Sequence, residues 1–175
     1  MKYIKLFISI ILFLTFSCEE YKNPMHEFEY GLGNDYQIYQ KILIEKFHDT
    51  EYYVILKDST EFIEISNHQI SSMKDRIPEL SDETLDKYFL KNNYSRKLNN
   101  ISNIDFYIFD SDYQYDKENT VLVWLSEIGY NASETQAIVA MGSIYAALVG
   151  EGIIFFLKYE NGRWEIKNEY PLWIA

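Results

Sequence analysis

Gln136-Ala137-Ile138-Val139-Ala140-Met141-Gly142 and Ile153-Ile154-Phe155-Phe156-Leu157-Lys158-Tyr159 decide the reading of this chain. Both are apolar runs of strand length. Asn161-Gly162 separates the second from Arg163-Trp164-Glu165-Ile166. Asn-Gly favours the primed two-residue turn, because both central positions need positive φ. Trp164 and Ile166 then share one face by period two, which makes Trp164 a core residue before a ligand platform. Gly150 and Gly152 read as the connection between the first two runs, a hairpin link and not a phosphate cradle, since a strand and not a helix follows them. The stretch predicts a C-terminal antiparallel β-meander packed on one face by helices that precede it.

Those helices lie upstream. Asn34 or Asp35 suits an N-cap, and Tyr36, Tyr39, Leu43 and Phe47 repeat at helical spacing, with Ile42 and Ile44 widening the stripe. Ser81 caps a second helix with Asp82 and Glu83 in its first turn and Leu85, Tyr88, Phe89 and Tyr94 on its inner side, fraying at Asn92-Asn93. Tyr52 to Lys57, Phe106 to Phe109 and Val121 to Ile128 read as strands. Phe62, Ile63 and Ile65 suit a short strand or a helical turn, and residues 67 to 76 are too polar to assign. The fold class is α+β, a meander packed against two or more N-terminal helices, over residues 34–175 as a single domain.

The amino terminus carries an address. Lys2 and Lys5 precede an apolar run of about 11 residues, Leu6 to Phe16, closed by Ser17 and Cys18, the only cysteine. A spanning helix needs about 20 residues, so the run suits a signal peptide over residues 1–17. Leu14-Thr15-Phe16-Ser17-Cys18 resembles a bacterial lipobox, with Thr15 where that pattern has Leu and Phe16 where it has a small residue. Lipidation of Cys18 is the expectation. Ordinary cleavage at the same bond also fits, Thr15-Phe16-Ser17 meeting a small-x-small rule, and it would leave Cys18 a free thiol on an exported protein. Residues 18–33 then form the lipidated cysteine and a polar tether, which Pro24, Gly31 and Gly33 punctuate.

After cleavage the formal charge of -11 becomes about -13, because both leader lysines are lost. An acidic domain repels phosphate backbones, so nucleic acid is not an expected partner, and a basic protein is a possible one. A chain of this size buries roughly 70% of its unfolded surface and needs no metal or disulfide to fold.

No cofactor is expected. Asp110, Asp112 and Asp116 have the spacing of half a calcium loop, but Tyr115 replaces the glycine and Val121 the bidentate acid, so no metal site is assigned. His26, His48 and His68 show no ligand spacing. No catalytic residue is assigned either, since no Gly-x-Ser-x-Gly or Ser-x-x-Lys occurs and adjacent acids such as Glu19-Glu20 or Asp82-Glu83 do not face one another. Lys57-Asp58-Ser59-Thr60 reads as a turn held by Asp58 or Ser59, with a loop site as the alternative.

Lys57-Asp58-Ser59-Thr60, Asn131, Gln136-Ala137, Gly150-Glu151-Gly152 and the run Leu157 to Trp164 carry a resemblance from about Tyr36 onward. The chain resembles uncharacterised secreted domains and lipoproteins of the Bacteroidota. The resemblance implies a shared α+β fold and no substrate. The functional expectation is a lipid-anchored cell-envelope protein, held at the membrane through Cys18 and acting as a non-catalytic binding module. A narrower form is an immunity-type protein that captures a basic toxin; the alternative is an envelope hydrolase whose carboxylates no motif singles out.

Overall fold

The computed structural model describes residues 32–98, 107–109, 119–145 and 149–175. Helix α1 spans Leu32–Phe47 and takes in the last two residues of the expected tether. Asn34 and Asp35 therefore lie in its first turn and do not cap it. Its buried arc centres on Ile38, Tyr39, Ile42 and Leu43, each at most 1% exposed. That arc leaves Ile44 outside, at 44% exposure.

Strand β1 is Tyr53–Lys57. The segment after it is not a local turn: Leu98 N donates to Asp58 O at 2.6 Å and Thr60 N to Arg96 O at 2.8 Å, so it pairs across to residues 96–98. Phe62 to Ile65 is neither strand nor helix, although Ile63 and Ile65 are buried. Helix α2, Asn67–Arg76, occupies the stretch that the sequence left unassigned. Its apolar stripe is thin, with Met73 its buried residue, and its start is set by a capping box. Ser66 Oγ accepts from Gln69 N and Gln69 Oε1 from Ser66 N, which satisfies two orphan amide donors. Helix α3, Asp82–Lys91, begins at Ser81 as expected. Tyr94 does not join its inner side but stands 78% exposed, and Asn92 is no frayed end but a buried C-cap.

The remaining strands are β2 (Tyr107–Phe109), β3 (Thr120–Leu125), β4 (Gly129–Tyr130), β5 (Gln136–Tyr145), β6 (Val149–Glu160) and β7 (Arg163–Ile174). Their order is β2-β1-β3-β5-β6-β7, with β4 beside β5. β1 is parallel to both β2 and β3. From β3 onward the pairing is antiparallel, and β5, β6 and β7 form the meander. Asn161 and Gly162 both have positive φ, 54° and 81°, as the primed turn requires.

Helices cover both faces of the sheet, not one. Ala137, Val139, Met141, Ile153, Phe155 and Leu157 pack with α1. The alternate residues Ile138, Ala140, Ile154 and Phe156 pack with Met73, Leu85 and Tyr88 of α2 and α3. Strands buried on both sides read as continuous apolar runs without alternation, which is the pattern of β5 and β6. Each fully buried large side chain contributes about 1.5–3 kcal/mol, so this double burial outweighs any surface ion pair.

Gly150-Glu151-Gly152 is not a hairpin link; it lies inside β6. The reason is steric. Trp124, Gly142, Gly152 and Trp173 stand side by side on β3, β5, β6 and β7. A Cβ on Gly142 would sit 2.2 Å from Trp124 Cε2, and one on Gly152 2.2 Å from Trp173 Nε1. The glycines are the floor on which the two indoles lie, with ring centroids 6.3 Å apart and planes 20° from parallel.

Gly142→Ala is expected to lose about 1–3 kcal/mol by overpacking and to alter tryptophan emission. Gly162→Ala meets nothing within 4 Å, so its loss of about 1 kcal/mol arises from the positive φ and leaves the emission unchanged. Urea unfolding followed by fluorescence checks both, and a Gly142→Ala variant of parental stability would contradict the packing.

Candidate functional site

Inward-facing charge in the described residues gathers around Arg96. Its Nη2 donates to Asp35 Oδ2 at 2.8 Å and its Nε to Glu127 Oε1 at 3.0 Å. Both carboxylates belong to residues only 8% exposed. Tyr130 Oη donates to Asp35 Oδ1 at 2.7 Å, and Thr60 Oγ1 to Glu127 Oε1 at 2.9 Å. Asn92 pins the Glu127 backbone, donating to its carbonyl at 3.2 Å and accepting from its amide at 2.9 Å. Tyr39 Oη reaches Ser126 O at 2.9 Å. Four places in the chain thus converge: the first turn of α1, the pairing of residues 58–60 with 96–98, the end of α3, and the link from β3 to β4.

The environment shifts the phenols and the cations of this cluster. Burial raises the Tyr39 phenol well above its usual range, and Glu127 and Asp35 raise it further. Burial followed by the Asp35 charge does the same to Tyr130. Burial works against the Arg96 charge, but Glu127, Tyr39 and Asp35 outweigh it and hold the guanidinium above its normal value. Lys91, 5.0 Å from the centre of the Tyr130 ring, is lowered by burial against the pull of Asp35 and Glu127. The two acids aim at a cation that already occupies them, so the arrangement is a polar fastening and not a pair of acids facing open space.

Open concavity lies elsewhere. A groove of about 960 Å³ runs between α1 and β7, lined by Gln37, Lys41, Ile44, Glu45, Arg163, Glu165 and Lys167 among others. Its charges are cross-paired: Lys41 with Glu45 at 3.0 Å, Arg163 with Glu165 at 2.8 Å and Lys167 with Glu165 at 3.1 Å. The hydrogen bond from Lys41 holds the Glu45 carboxyl below its usual range. Bonds from Lys167 and Arg163 do the same for Glu165. Trp164 also lines the groove but is only 3% exposed, a core residue packed with Tyr130 and Tyr159. A smaller hollow of about 420 Å³ is lined by Tyr52, Asn119, Tyr145 and Val149.

No family model, no curated protein and no solved structure matches the chain.

Cys18, His26, Asp110, Asp112 and Asp116 lie outside the described residues. His48, in the turn that follows α1, and His68, in α2, are both exposed. Among the described residues no three His, Cys, Asp or Glu side chains gather as metal ligands would. Of Lys57-Asp58-Ser59-Thr60, only Thr60 reaches the Arg96 cluster. Sequence reasoning missed that cluster, although Glu127 carried a signal: it is a lone acid between Leu125 and Ile128 at the end of an apolar run, and a buried charge demands a partner.

The groove acids give a pH prediction. Both Glu45 and Glu165 are lowered, so each favours the folded state above the ordinary glutamate range and loses that contribution as pH falls through its folded value. Carboxyl titration by NMR should place both below the ordinary value of 4.5, and high salt should move them back toward it. A groove glutamate titrating near about 6–7, where a proton donor must be poised, would contradict this.

Proposed function

We propose that this chain is a lipid-anchored cell-envelope protein whose folded domain binds a partner and does not catalyse a reaction. One observation carries the non-catalytic part: Glu45 and Glu165 of the α1–β7 groove are each hydrogen-bonded to cations, which favours their ionised form. Acid–base hydrolysis needs one carboxyl raised toward neutrality. Glu45 and Glu165 are displaced the other way. Asp35 and Glu127 are committed to Arg96. These points favour binding over the envelope hydrolase.

The anchoring part rests on the amino-terminal pattern and on the resemblance to uncharacterised secreted domains and lipoproteins of the Bacteroidota. In this reading residues 1–17 are removed as a signal, and Cys18 takes the acyl chains that hold the protein at the membrane. The acidic net charge makes a basic protein the favoured partner and nucleic acid an unfavoured one.

Intact mass and detergent partitioning of the natively expressed protein test this. The mature chain should begin at Cys18, exceed its polypeptide mass by the attached acyl groups, and enter the detergent phase, while Cys18→Ser stays in the aqueous phase. A bare thiol at Cys18, or an uncut leader, would overturn the assignment.

A further inference from the structure

We draw no further inference here: the strongest candidate, the flat patch that the Trp124 and Trp173 indoles make over Gly142 and Gly152 on the α2–α3 face of the sheet, is a partly exposed apolar surface with nothing in the structure to show what covers it.

Discussion

Burial of the β5–β6 ribbon on both of its faces is the constraint on which the rest of the molecule depends. Residues 137 to 141 are fully buried, and residues 153 to 157 are at most 7% exposed. A ribbon apolar at consecutive positions cannot present either face to water without losing about 25 cal/mol per Å² of apolar surface. It therefore requires one layer above and another below. α1 supplies the first, with α2, α3 and the extended Ile63–Ile65 segment supplying the second. Beside that layer Trp124 and Trp173 lie over Gly142 and Gly152 and extend the cover with side chains from the sheet itself.

Polar groups manage the places that this apolar sandwich leaves open. At the start of α1 the Arg96 cluster ties four segments together, and every inward carboxylate there accepts from both the guanidinium and a hydroxyl. Its worth lies less in net stability than in specificity, because a buried ion pair roughly offsets its own desolvation but penalises any arrangement that breaks it. At the sheet's edge, β7 is long and pairs only with β6 among the described strands. It carries Arg163, Glu165, Lys167 and Pro171, and two register shifts interrupt its ladder. These are features that discourage edge-to-edge association. The groove beside it is consequently a surface of satisfied charges.

The meander was legible because its signals are local: two apolar runs of strand length, an Asn-Gly turn, and the Trp164–Ile166 alternation. Helix α3 was legible for the same reason, through Ser81 and the acids that follow it. Three features were not. The double-sided cover was implied by the unbroken apolar runs, but their reading as a half-exposed meander overrode it. The glycines of β6 looked like punctuation because their function depends on Trp173, more than twenty residues away, which no local pattern reports. Helix α2 has a thin apolar stripe, and only the Ser66–Gln69 spacing marked it. The Arg96 cluster was the least legible, since its members come from four segments and only Glu127 stood out as a charge in apolar company.

Among the described residues the inward carboxylates of Asp35 and Glu127 are fastened to Arg96, and the groove acids Glu45 and Glu165 pair with cations at the surface. The most direct test of the central claim is native-state hydrogen exchange. The amides of residues 138–141 and 153–157 should exchange only through global unfolding, with an opening free energy equal to that from denaturant unfolding, while those of α2 open at lower cost. Exchange of the β5–β6 amides through local opening, with α1 or α2 outlasting them, would contradict the account.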